Sequence, residues 1–143
     1  RPPLDLGLEL AKMIERVPMF VSLDRPAVVE LGKRLRAVVA LPGEKIISIG
    51  GPPDAMYFIA AGEVTVKTPT FQATLKQGDF VGEMGLVSDS PRSADVISNG
   101  YSHLLALDRK DFRRLLVKRP AVKSEIEAVA NRRSAEIKGT KAS

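Results

Sequence analysis

Phe80-Val81-Gly82-Glu83-Met84-Gly85-Leu86-Val87-Ser88-Asp89-Ser90-Pro91-Arg92-Ser93-Ala94-Asp95-Val96 interrupts a strand-rich region with a loop unlike the turns around it. Two glycines bracket Glu83 and Met84. Glycine adopts backbone conformations closed to other residues and lets a ligand come close to the main chain. A short helical turn starting here points free N–H groups at an anion. Arg92 supplies a planar fork of donors suited to two oxygens of one phosphate. Ser93 adds a hydroxyl that donates or accepts, and an ionised Glu83 only accepts, which suits a sugar hydroxyl and repels a phosphate. These residue types describe a phosphate joined to a ribose. They describe an ordinary glycine-containing turn with one arginine equally well.

On both sides of this loop, short β-branched or apolar runs alternate with turn residues. The runs are 38–41, 46–49, 56–60, 64–68, 71–75, 95–97 and 104–107, with strands also near Phe80 and Val96. Pro42-Gly43-Glu44, Gly50-Gly51-Pro52-Pro53-Asp54 and Ala61-Gly62-Glu63 separate them. Strands at intervals of about 8–12 residues with Gly/Pro turns predict an antiparallel sandwich or barrel. Before residue 38 the period is helical. Leu6, Leu10, Met13 and Val17 predict a helix over 6–17, capped by Asp5 and ended by Val17-Pro18. A second helix begins near Asp24 and Pro26, with Val28, Leu31 and Leu35 on one face.

After Leu107 the helical period returns. Asp108 and Asp111 have the spacing of a capping box, and Phe112, Leu115 and Leu116 form an apolar stripe. Pro120 interrupts, and a last helix is expected from about 121 to 137 with Val122, Ile126, Val129 and Ala130 on one face, followed by a frayed 139–143. The fold class is therefore α+β. A jelly-roll-like antiparallel β-roll over 38–107 is flanked by N-terminal helices over 1–37 and by two C-terminal helices over 108–138. The whole of 1–143 forms one domain.

The loop resembles the phosphate-binding cassette of the cyclic-nucleotide-binding domain family. That family shows Phe-Gly-Glu, an apolar residue shortly after, and an Arg-Ser/Thr/Ala-Ala step about nine residues past the Glu. Gly82, Glu83, Leu86, Arg92, Ser93 and Ala94 match within the span 80–96. Val81 stands between Phe80 and Gly82 where many members place Phe directly before Gly, and Gly85 stands where Ala is common; neither change removes a ligand group. Pro18-Met19-Phe20, Pro42-Gly43-Glu44, the turn from Gly51 to Asp54, and Met56-Tyr57-Phe58-Ile59 with Gly62-Glu63-Val64 extend the likeness along most of the chain.

The resemblance implies a role for each residue. Glu83 accepts from a ribose 2′-hydroxyl and Arg92 pairs with the cyclic phosphate. Gly82, Met84, Gly85, Ser93 and Ala94 complete the ligand shell through backbone or hydroxyl bonds. The last helix closes over the base, with Ile126, Ala130 and Arg132 as its contacts. The ligand is cAMP or cGMP, with cAMP placed first. Arg-Ser and the N-terminal Pro18-Met19-Phe20 look like bacterial cyclic-nucleotide-gated potassium channels. The implied host is the cytosolic C-terminal domain of such a channel, joined to a membrane-embedded portion and oligomeric through other segments. The alternative host is another bacterial signalling protein or a transcription regulator.

Composition excludes several other classes. The chain contains no Cys and a single His, which removes disulfides, thiolate zinc sites and His-rich metal centres. No paired carboxylates or nucleophile–base pair is evident, so the chain reads as a binding module with no metal, not as an enzyme. Asp54 and Asp79 read as turn residues bonding local backbone, Asp89 as a turn residue or a partner orienting Arg92, and His103 as a structural or surface side chain. No apolar run reaches the ~20 residues of a membrane span. The chain opens at Arg1 without Met or signal peptide, as a soluble fragment of a longer protein does. From Asp108 onward 11 Lys/Arg face 5 Asp/Glu, against 11 and 12 before it. That basic tail reads as a solvated helix face or as a surface for nucleic acid or anionic lipid. With no helix-turn-helix and no aromatic base-reading pattern, no nucleic-acid partner is expected.

Overall fold

The computed structural model describes residues 12–14 and 16–142. Leu6, Leu10 and Asp5 of the expected first helix lie outside the described residues. Lys12 to Ile14 are helical, and Val17 is extended before a 3-10 turn over Pro18–Ser22, as the residue before a proline should be. Helix α1 (Arg25–Arg34) starts where Asp24 caps it, its side chain accepting from the Ala27 N–H at 3.0 Å, with proline in the first turn.

Eight strands follow among the described residues: β1 (Arg36–Ala40), β2 (Lys45–Ile47), β3 (Ala55–Ala61), β4 (Glu63–Lys67), β5 (Gln72–Lys76), β6 (Phe80–Val81), β7 (Asp95–Ser98) and β8 (Ser102–Asp108). A six-residue helix α2 (Glu83–Ser88) sits between β6 and β7, and α3 (Arg109–Lys118) and α4 (Pro120–Ala142) close the chain. Two four-stranded sheets form, ordered β1-β8-β3-β6 and β2-β7-β4-β5, with every pairing antiparallel. This is the α+β roll expected from the strand spacing, with helices at both ends.

The period of two along each strand sorts its side chains into two cores. On β3, Met56, Phe58 and Ala60 face the helices, whereas Ile59 faces the space between the sheets. On β8, Leu105 and Leu107 face the helices and Leu104 the other way; on β6, Phe80 and Val81 divide likewise. The helix-side core gathers Val17, Phe20, Leu31, Phe112, Val122 and Ile126 over one sheet, and an aromatic run crosses it, with ring centroids 4.6 Å apart for Phe20–Phe58 and 6.1 Å for Phe58–Phe80.

Two local expectations are corrected. Asp108 occupies the N-cap position of α3 but makes no capping bond; its carboxylate accepts from Arg36 at 2.8 Å on the neighbouring strand β1. The last helix does not fray at Gly139 but continues to Ala142, and Ser143 lies outside the described residues. No described helix is long and apolar enough to cross a membrane.

Candidate functional site

The chain leaves β6 through Gly82, whose φ of 91° lies in the left-handed region and turns the backbone directly into α2. A Cβ there would stand 3.1 Å from the Ala55 carbonyl, from Arg92 Nη1 and from Ile47 Cδ1, so a side chain would push its neighbours back as well as strain the backbone. Glu83 is therefore the first residue of α2 and points inward, 1% exposed. Arg92 arrives from the far end of the loop. Its backbone is fixed to the Gly50-Gly51 turn, Gly50 N–H donating to its carbonyl at 2.8 Å and its own N–H donating to Gly51 at 2.9 Å.

Arg92 is buried, its side chain 5% exposed. Nη1 donates to the Gly82 carbonyl at 2.7 Å, and Nη2 donates to the Ala55 carbonyl and to Asp54 Oδ1, the last at 3.2 Å. The guanidinium thus ties both ends of the loop to the start of β3. Asp54 is more than a turn residue: its carboxylate is the counter-charge of Arg92. Asp89, at φ 52° after α2, pairs with Arg109 and stands 3.8 Å from Arg113, and so it does not orient Arg92. Asp79 does bond local backbone, accepting from Lys76 N–H at 3.0 Å, and His103 is exposed on β8.

Glu83 Oε1 accepts from Arg133 Nη1 at 2.8 Å, and the same nitrogen donates to the Phe80 carbonyl at 2.7 Å. The Arg133 guanidinium also lies over the Phe80 ring, 5.1 Å from its centroid. Glu83 Oε2 is buried and has no hydrogen-bond partner among the described residues. Burial pushes the Glu83 carboxyl above the ordinary glutamate range; the Arg133 guanidinium works against that, helped by the Glu83 backbone N–H and by Arg92.

These groups line one cleft, with about 670 Å³ of empty space including its open mouth. Its apolar wall is built from Ile47, Val66, Phe71, Ala73, Leu75, Val81 and Val96, where the two sheets part between β5 and β6. Gly82, Glu83, Met84, Gly85, Arg92, Ser93 and Ala94 form the polar wall, and Arg133, Glu136 and Ile137 of α4 reach over it. The seven loop residues read from the sequence are thus brought to one place.

Arg132 is not among them. Its side chain is 65% exposed, with Nε 3.9 Å from Glu136 Oε1. One residue along a helix rotates a side chain by about 100°, so the step from 133 to 132 turns it from cleft to solvent. Ile126 and Ala130 are buried, Ile126 within the helix-side core and so away from the cleft. Helical spacing carries the buried stripe of Ile126 and Ala130 on to 133 and 137, a signal that favours 133 over 132 for the inward face. Asp54 gave no comparable signal, standing 38 positions before its partner. Among the described residues no cluster of three or more His, Cys, Asp or Glu is placed to hold a metal ion.

A cleft with apolar walls, one buried arginine and one buried carboxylate sits on a double-sheeted roll found in known proteins. The regulatory subunit of a cAMP-independent protein kinase A from Trypanosoma brucei has the same fold at TM-score 0.80 and 21% identity, over 94% of this chain and 49% of that one. A PKAR CBD2 domain with Sp-2Cl-cAMPS bound superposes at TM-score 0.74 and 22% identity, over 96% and 92%. In sequence, a cyclic nucleotide-gated potassium channel of Mesorhizobium japonicum is 36% identical over 132 residues, 92% of this chain and 36% of the channel. Another, of Rhizobium etli, is 36% identical over 119 residues, 83% of this chain and 34% of the channel. The human cyclic nucleotide-gated channel beta-1 is 32% identical over 137 residues, 90% of this chain and 11% of that protein. This chain spans about a third of the length of the two bacterial channels. The pattern of the family described as cyclic nucleotide-binding domain matches residues 37–119, more than half of the chain and nearly all of the roll with the loop from Gly82 to Ala94, and the chain belongs to that family.

Proposed function

We propose that the cleft binds a cyclic nucleotide, with Arg92 on the cyclic phosphate, Glu83 on the ribose 2′-hydroxyl, and Gly82, Met84, Gly85, Ser93 and Ala94 supplying backbone and hydroxyl bonds. One observation carries this reading. A buried guanidinium and a buried carboxylate stand at opposite ends of one glycine-containing loop, facing a single apolar cleft. A phosphate and a hydroxyl held a fixed distance apart on one molecule satisfy both, and the apolar wall takes the base. The first turn of α2 adds N–H groups without intrahelical partners.

The domain is a sensor. Nucleotide binds one placement of α4 over the cleft better than another, and that difference in affinity is what is transmitted. The host is a ligand-gated cation channel, whose membrane portion belongs to the same polypeptide and which assembles as an oligomer, with this domain on its cytosolic side. The relatives named as cyclic nucleotide-gated channels support that host.

Calorimetric titration with cAMP and cGMP side by side tests the ligand, cAMP being expected to bind more tightly. Arg92→Ala is expected to weaken binding by about a hundredfold, since removing one partner of a buried charge pair costs roughly 3 kcal/mol. Affinity near that of the wild type would remove Arg92 from the phosphate. Glu83→Ala is expected to lose discrimination against a 2′-deoxy analogue. Release of AMP on incubation with cAMP would sink the sensor reading.

A further inference from the structure

We infer that the outward face shared by α1 and α3 is a docking surface for an anionic lipid bilayer. The inference stands on those two helices and not on the nucleotide reading of the cleft. Three ion pairs run along the seam between them: Arg119 to Asp24 at 3.5 Å, Lys118 to Glu30 at 2.7 Å and Arg34 to Asp111 at 3.7 Å. They join the end of α3 to the start of α1 and the start of α3 to the end of α1. The helices therefore lie side by side and antiparallel, and their outward side chains share one surface.

The pairs do not neutralise this surface. Nine Lys and Arg side chains stand on α1, on α3 and at Arg119 just beyond it. Four acids, Asp24, Glu30, Asp89 and Asp111, pair with them among the described residues. Asp111 is shared by Arg34 and Arg114, and Asp89 by Arg109 and Arg113. Arg25, Lys33 and Lys110 are exposed and make no ion pair among the described residues. Asp108, at the start of α3, is taken up by Arg36 of β1. The surplus of five cations equals the formal net charge of +5 of the whole chain, so the rest of the molecule is balanced.

Each helix also sets an exposed valine among its cations. On α1, Arg25, Val29 and Lys33 recur every four residues and line one groove, with Val29 52% exposed. On α3, Lys110, Arg113, Arg114 and Val117 have the spacing of one helix face, and Val117 is 82% exposed. Long cationic side chains around a solvated apolar one suit a surface that rests on lipid headgroups, the cations reaching phosphates and the apolar groups entering among the upper acyl carbons. Neither helix exposes an aromatic side chain to anchor a protein partner or to stack on a base. Attraction to an anionic leaflet grows with each cation and needs no shaped pocket.

Sedimentation of the whole chain, without nucleotide, tests this with vesicles of phosphatidylcholine and with the same vesicles containing phosphatidylserine. The chain is expected on the phosphatidylserine vesicles at low salt and released from them at high salt, where surface charges are screened. Lys33→Gln with Lys110→Gln should weaken binding roughly thirtyfold, about fivefold per cation. Lys67→Gln with Lys76→Gln removes the same charge from the sheet β2-β7-β4-β5 and should leave binding unchanged. Val29→Ser with Val117→Ser should weaken it about tenfold without altering the salt dependence. An unchanged thermal midpoint shows that each variant is folded. No preference for phosphatidylserine, equal losses in the two lysine pairs, or an unaffected valine pair overturns the docking face. Binding to polyglutamate or duplex DNA as tight as to the anionic vesicles overturns the lipid assignment.

Discussion

Glu83 keeps its proton to higher pH than a solvated glutamate, because burial outweighs the attraction of Arg133. The sign of the consequence follows from linkage. With the folded-state pKa raised, the stability it contributes is full below the unfolded value and is lost as pH rises through the folded one. The thermal midpoint of the wild type should therefore fall relative to Glu83→Gln as pH rises from the acid side through the ordinary glutamate range and above it. Parallel profiles for the two proteins would show that Glu83 is not desolvated. At this scale the sequence carried much of the site. Glu83 and Arg92 stood out through the resemblance of their loop to a family cassette, since their residue types alone describe an ordinary turn as well. Arg133 was less so, since Arg132 beside it is chemically identical and only the helical spacing from Ile126 and Ala130 distinguishes the two.

Among the elements, strand positions were legible to within a residue or two, because turn residues fall where the chain must reverse. The turn between β3 and β4 shows how tightly such a position is held. Gly62 has φ 91°, and a Cβ there would stand 2.7 Å from both Ser102 Oγ and the Tyr101 carbonyl. Gly62→Ala should cost about 2 kcal/mol or more, from backbone strain and the clash together. Urea denaturation reads this directly, and a loss below about half a kcal/mol would show that the turn adapts. Helix starts were legible only in part. Asp24 caps α1 as its type and position suggest, whereas Asp108 stands in the same relation to α3 and is drawn away by Arg36. Both are acids before a helix; a cation 72 positions away decides between them, and no local rule contains it.

For the molecule as a whole, Phe58 stands at the junction of its parts. It is fully buried, its ring lies against Phe20 from the N-terminal turn and Phe80 from β6, and Phe80 in turn carries Arg133 of the last helix. Phe58→Ala should cost about 3–5 kcal/mol, the range for emptying a packed aromatic site. Chemical denaturation checks it, and a loss under about 1.5 kcal/mol would mean that the roll and helices close over the gap. Periodicity and turn residues, both local properties of the chain, were enough to determine a β-roll between helices and to mark the glycine-containing loop from Gly82 to Ala94. What they could not contain is which side chains from distant segments meet: Asp54 on Arg92, Arg133 on Glu83, Phe80 beneath Arg133. Those pairings depend on the order of the strands in two sheets and on the phase of the last helix, which only the packed structure fixes. They settle whether the acceptor and the guanidinium of the cleft stand open or already have partners, and in this protein both have partners.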